Sequence, residues 1–353
     1  MNLDTGRPAD EQVNLRLRDP ADLLIAVPYL LGFHPSDSLV LVGTRADEGV
    51  RIELTLRVDL PPPHAVAAVA RGVAGGLAAR RCDEALVVVV GGGDGEGPPR
   101  RDLVDAVTEA CAEAGVVVQA RAWAAELVAG ARWRCYEKCR CAGSLPDPAS
   151  SPLAPAMVAA GQVTYRDRAE LERMVAPADE SVLARRSALL DRRVDEASRS
   201  GDPVTPSGLA ALDLLARWVE DAQSGRLEMD DEDVVDLCLA LAEPLVRDAA
   251  FGLALGPQAL AAEGLWSVLV TEAPDPEAAE PAVLLACCAL LRADGALTSV
   301  ALQRAQQAWP GHRLSAMLQS ALEAGLGPDE LRDWISNGSK RALALLTRRA
   351  DPR

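Results

Sequence analysis

Imidazoles, lysines and aromatic rings are scarce in this chain. Its 353 residues hold three histidines (His34, His64, His312), two lysines (Lys138, Lys340), six Trp, three Tyr and two Phe. Imidazole and lysine catalysis are thereby confined to a few positions. No HExxH, GxSxG or GxGxxG pattern occurs, which removes the zinc-protease, nucleophile-elbow and dinucleotide fingerprints. Basic residues are outnumbered by acidic ones, 36 to 52, for a formal charge of −16. A surface that tracks nucleic-acid phosphates needs clustered excess Lys and Arg, so nucleic acid is not an expected partner. Long apolar runs are missing too. Stretches such as Leu86–Val90 fall far short of the roughly 18 residues of a membrane span, and no membrane partner is expected. Residues 1–12 include Asp4, Asp10 and Glu11 and no apolar core. No secretory leader is expected, and the protein is placed in the cytoplasm. Eight cysteines are too few for a disulfide scaffold in a chain of this length, so reduced thiols are expected. Cys82, Cys111, Cys238, Cys287 and Cys288 lie in apolar, Ala- or Leu-rich surroundings, which reads as buried packing.

What is present is a folding composition, 49% hydrophobic and 25% charged, at a length that suits about two domains. Residues 1–148 alternate strand and helix signals. Val13–Arg18, Ser38–Val42, Arg51–Val58, Leu86–Val90 and Val116–Arg121 read as strands. Helices read after Asp19-Pro20, over 64–80 and over 100–114. Such alternation predicts an α/β domain, a layered mixed or parallel sheet with flanking helices. A Pro-rich linker over 149–160 follows. Residues 161–353 then read as an all-α domain of helical hairpins with short Gly/Pro turns, the last helix over 328–335. Within 281–310, Ala286, Ala289, Gly295, Ala305 and Pro310 give a weak tetratricopeptide-like pattern. This C-terminal part is also the more acidic: residues 151–353 carry 20 basic and 31 acidic side chains, residues 1–150 carry 16 and 21.

Three segments could carry chemistry. Gly91–Gly97 (GGGDGEG) sits between a strand and a helix, but Asp94 and Glu96 would repel a phosphate and Pro98-Pro99 separate the glycines from the helix start. It reads as a surface turn. Cys135, Cys139 and Cys141, among Arg132, Arg134, Lys138 and Arg140, could hold zinc as thiolates. Their spacing matches no standard zinc ribbon, so reduced thiols in a turn are the preferred reading and no metal or cofactor is expected. Gly32–Ser38 joins the first helix to a buried strand. There His34, Asp37 and Ser38, with Tyr29 nearby, could line a small-ligand pocket. The competing reading is a capped helix end, with Gly32 as the C′ residue, Pro35 blocking continuation, and Asp37 or Ser38 bonding backbone amides. The acid-rich Glu228–Asp236 reads as a helix start capped by Asp230 and not as a calcium loop.

Several stretches resemble an actinobacterial family, Domain of Unknown Function 4192. They are Leu23–Leu41 (LLIAVPYLLGFHPSDSLVL), Leu54–Pro61 (LTLRVDLP), Trp133-Arg134-Cys135-Tyr136, Met157–Leu171 (MVAAGQVTYRDRAEL), Val246-Arg247-Asp248 and Asp294–Pro310 (DGALTSVALQRAQQAWP). The family turn often has adjacent cysteines followed by Pro, whereas Arg140 separates Cys139 from Cys141 here. No activity is assigned to the family, so the resemblance implies no catalytic residue. The missing catalytic patterns and the helical hairpins together favour a non-catalytic protein-binding or scaffold module. Its unknown protein partner would be met by the helical domain. The alternative is a sensor or enzyme with a pocket around Gly32–Ser38.

Overall fold

β-Branched runs separated by amphipathic segments form strands that must be covered on both faces. The computed structural model describes residues 2–4, 15–16, 20–46, 50–93, 97–137, 141–148, 164–201, 203–204, 208–292, 294–324 and 326–350. The chain divides into two compact units, residues 1–168 and 169–353. The Pro-rich linker predicted over 149–160 lies outside the described residues.

The first unit holds a mixed sheet. Six strands form its body: β3 (Ser38–Ala46), β4 (Val50–Asp59), β5 (Glu84–Val90), β6 (Val117–Ala124), β7 (Arg132–Cys135) and β8 (Ala142–Ser144). Two short strands, β1 (Asn2–Asp4) and β2 (Leu15–Arg16), extend one edge, and the order is β2-β1-β4-β3-β5-β6-β7-β8. β3 is antiparallel to both β4 and β5, while β5 and β6 are parallel. Helices α1 (Pro20–Leu31), α2 (Val66–Ala79) and α3 (Arg101–Glu113) supply the layers. Leu39 opposite Val89 and Leu41 opposite Val87 pack with Val73, Leu77, Leu103 and Val107 of α2 and α3. α1 packs against β4 and β6. Its Leu23, Leu24 and Val27 are buried, and the neighbouring strand residues Val40, Val42 and Val88 are buried too.

The second unit is helical: α4 (Arg168–Met174), α5 (Glu180–Ser200), α6 (Gly208–Gln223), α7 (Asp231–Ala242), α8 (Pro244–Ala250), α9 (Ala259–Glu272), α10 (Ala279–Leu291), α11 (Gly295–Ala308), α12 (Arg313–Glu323) and α13 (Pro328–Ala350). A short 3-10 turn, Phe251–Leu255, follows α8. α10 is the centre of this unit. All its residues from Pro281 to Leu290 are buried, as an apolar-all-round helix demands. Asp230 caps α7 in a capping box: its Oδ1 accepts the Asp233 N–H at 2.9 Å and the Asp233 carboxylate accepts the Asp230 N–H at 3.0 Å.

The last helix departs from expectation. The sequence pattern ends the last helix at 335, yet α13 runs on to Ala350. Leu331, Ile335, Ala342 and Leu346 stay buried in one helical phase across that stretch, and Leu346 fits against Gly208, where a Cβ would collide with it. Burial of this stripe outweighs the local cost of Asn and Gly, roughly 1 kcal/mol for the glycine.

Candidate functional site

Parallel strands β5 and β6 end at the same edge of the sheet, and the loops leaving them meet the segment that enters β3. α1 stops where Gly32 turns left-handed (φ 75°). The chain is then pinned by residues 164–165: the Tyr165 N–H donates to the Gly32 carbonyl at 2.7 Å and the His34 N–H donates to the Tyr165 carbonyl at 3.1 Å. Asp37, itself left-handed (φ 39°), accepts the Gly92 N–H on Oδ1 at 3.0 Å, and its carbonyl accepts the Leu60 N–H at 2.9 Å. Gly91 is held from β6, donating to the Ala124 carbonyl at 2.9 Å and accepting from Trp123 Nε1 at 2.7 Å. Three loops are thus stitched into one corner.

The four predicted ligand residues divide within that corner. Ser38 has no exposed surface; its Oγ donates to the Ser36 carbonyl at 2.5 Å and accepts from Arg57 Nε at 2.9 Å. Tyr29 donates its hydroxyl to the Pro148 carbonyl at 3.2 Å, and burial, with the Asp147 charge beside it, pushes that hydroxyl's pKa up. Asp37 serves Gly92. His34 is different: its Nδ1 is buried without a hydrogen-bond partner. No hydrogen bond joins the four side chains to one another among the described residues. Asp37 and Gly32 thus do what the capped-corner reading asks of them, and His34 alone keeps a spare polar atom.

The cysteine turn links β7 to β8. Cys135 is buried and Cys141 exposed, and the Cys135 N–H donates to the Cys141 carbonyl at 2.9 Å. Cys139 lies outside the described residues, as do residues 94–96 of the glycine loop. No group of three His, Cys, Asp or Glu side chains suited to a metal occurs among the described residues. The five cysteines expected in apolar surroundings, Cys82, Cys111, Cys238, Cys287 and Cys288, are all buried.

In the helical unit a charged residue starts the apolar centre. Glu280 sits in the first turn of α10, and its Oε1 accepts from Arg247 Nη1 at 3.1 Å and lies 3.4 Å from His312 Nε2. Arg247 is shared with Asp248, 2.8 Å away. His312 caps α12 by accepting the Ser315 N–H on Nδ1 at 3.4 Å. An accepting Nδ1 places the ring proton on Nε2, aimed at Glu280. Ser315, His312 and Glu280 have the residue types of a hydrolase triad, and geometry denies the chemistry. Ser315 has no exposed surface, its hydroxyl donates to the His312 carbonyl at 3.0 Å, and it accepts from Gln306 Nε2 at 2.5 Å. The trio is a structural clamp.

A groove of about 430 Å³ lies between α8, α12 and α13. Its apolar lining includes Leu245, Phe251, Met317, Trp334 and Leu345, with Arg247 and Arg341 as its basic members. Met317 is 51% exposed, Trp334 43% and Leu345 38%, while Phe251 beneath them is buried. Trp334 leans on Phe251, ring centroids 6.0 Å apart and tilted by 57°, a favoured aromatic geometry. Sequence reasoning missed the groove because it ended the last helix at 335. The signal was there: Trp334, Gly338, Arg341, Leu345 and Arg348 recur at spacings of four and three, a second stripe beside the buried one.

A family model described as Domain of unknown function (DUF4192) matches residues 20–329. No curated protein and no solved structure matches the chain. No helix among the described residues is long and apolar enough to cross a membrane.

Proposed function

We propose that this chain, which belongs to the family described as Domain of unknown function (DUF4192), is a non-catalytic protein-binding module whose helical unit receives a protein partner in the α8–α12–α13 groove. The observation that carries the reading is the exposed apolar set Met317, Trp334 and Leu345, presented by α12 and α13. Solvated apolar surface of this kind is costly to keep unless something covers it. A small molecule is the poorer occupant, because ligand pockets bury most of their guest, and side chains about half exposed leave it wet. The α10–α11 hairpin, with Ala286, Ala289 and Ala305 buried, supports tetratricopeptide-like packing as part of the same reading. A cytoplasmic location goes with it, and the free thiols of Cys287 and Cys288 fit a reducing compartment.

Site-specific photocrosslinking in cells tests the proposal. A benzophenone side chain at Met317 or Leu345 is expected to trap one polypeptide, and the same group at Leu260, 79% exposed on α9, is expected not to trap it. Equal trapping from all three positions, or none, contradicts it. A second reading rests on the buried, unpartnered Nδ1 of His34, which a small polar ligand at the sheet corner would satisfy. Native mass spectrometry showing a small bound mass that disappears in His34→Ala would favour it.

A further inference from the structure

We infer that the partner segment seated in this groove is an acidic amphipathic helix, with apolar side chains against Trp334 and Leu345 and carboxylates against Arg341 and Arg348. The inference rests on the protein-binding reading and adds the chemistry of the partner.

Charge carries it. The chain is strongly acidic overall, yet residues 334–350 contain Lys340, Arg341, Arg348 and Arg349 and not one Asp or Glu. Arg349 pairs with Glu243 at 3.3 Å. Arg341 and Arg348 have no hydrogen-bond or ion-pair partner among the described residues; Arg341 lines the groove, and Arg348, two turns on, continues the same helix face beyond the lining. The one acid in the groove lining, Asp248, is already committed to Arg247. The wall therefore offers the unpaired guanidinium of Arg341, with that of Arg348 farther along the same helix face, groups built for bidentate pairing with carboxylates.

Shape gives the second argument. Gly338 lies between Trp334 and Arg341 on the stripe, mid-helix, where glycine is a poor former, and apart from its chain neighbours and its own helix backbone nothing lies within 4 Å of where its Cβ would be. A flat strip between an aromatic anchor and Leu345 is what a second helix needs for close approach, read through anchors spaced i, i+3 or i+4, and i+7. A second copy docking the same stripe would set Arg341 and Arg348 against their own equivalents. An anionic membrane would take the basic stripe, but it would meet the repulsion of a chain of charge −16, and the apolar groups lie in a concave groove.

The test uses the full chain and three fluorescent helical peptides of about 18 residues. They share one apolar stripe and differ only in flanking residues: Glu and Asp, Lys and Arg, or Gln and Ser. Fluorescence polarisation should rank the acidic peptide first by about tenfold or more, with the preference shrinking as ionic strength rises from about 0.05 to about 0.5 M. Trp334→Ala should weaken all three peptides by about tenfold or more. Arg341→Glu with Arg348→Glu, both exposed changes that leave the core untouched, should invert the order. If acidic and basic peptides bind equally through Trp334, the charge assignment is overturned and the protein-binding reading stands. If no peptide binds, the inference is overturned; sedimentation as a dimer, or cosedimentation with vesicles containing anionic lipid, then identifies what covers the groove instead.

Discussion

Asp37 and Gly92 close the corner of the sheet: the carboxylate Oδ1 accepts the glycine amide at 3.0 Å, across 55 residues of chain. The neighbouring Gly91 sits at φ 74°, and a Cβ there would lie 2.5 Å from that same Oδ1. Asp37→Ala should therefore cost about 1 kcal/mol and Asp37→Asn close to nothing, since the amide oxygen also accepts. Gly91→Ala should cost more, because the left-handed backbone alone costs roughly 1–2 kcal/mol and the clash adds to it. In an Asp37→Ala background the clash part should be partly relieved. Chemical denaturation of the four variants checks this, and strictly additive costs would show that the two residues do not press on one another.

Much of this corner was legible in the sequence, for a physical reason. Gly32 acts through its own left-handed backbone, so its local pattern is sufficient. The partner of Asp37 was not legible, because nothing in residues 32–38 says which distant amide will arrive. The same division runs through the helical unit. Asp230 was readable as a cap because its partner Asp233 is three residues away. The Glu280 clamp joins three segments, residues 247, 280 and 312, and periodicity carries no information about such meetings. The full length of α13 was not legible because propensity is local, while burial of Ala342 and Leu346 is decided by the rest of the unit.

The Glu280 clamp should be costly to break. Glu280→Ala leaves the guanidinium of Arg247, whose side chain is 17% exposed, and the Nε2 proton of His312 without their shared acceptor. A loss of about 3 kcal/mol is expected. Glu280→Gln retains one accepting oxygen and should lose less. Equal unfolding midpoints for Glu280→Ala and the parent chain would show that the clamp contributes nothing.

Glu277 provides the pH test. Burial, and the negative charges of Asp191 and Asp275, hold its pKa above the ordinary carboxylate value, against a smaller opposing backbone hydrogen bond. A carboxyl whose folded pKa is raised contributes stability below its unfolded pKa, near ~4.3, and loses it as pH rises through the folded value. Glu277→Gln should therefore raise the melting temperature at pH 7, and the gain should fade as pH approaches about 4. A gain that does not change with pH would assign the effect to packing.

The thiols should react in a fixed order. Burial pushes Cys82 up to about 11, with Glu53 adding to it, and raises Cys111, Cys238, Cys287 and Cys288 as well. These groups stay protonated at pH 8 and are shielded. Cys141 is exposed. Timed alkylation followed by peptide mass spectrometry should label Cys141 well before those five, which become reactive on unfolding. Early labelling of Cys287 or Cys288 would contradict the burial of α10.

The proposed binding of a protein by the helical unit rests on the Trp334 groove. Native mass spectrometry of the chain isolated gently from its own cells tests it most directly. A bound polypeptide in fixed stoichiometry is expected, lost in Trp334→Ala while the melting temperature stays within a few degrees, and retained in His34→Ala. A bound small molecule that survives Trp334→Ala and is lost in His34→Ala would contradict it.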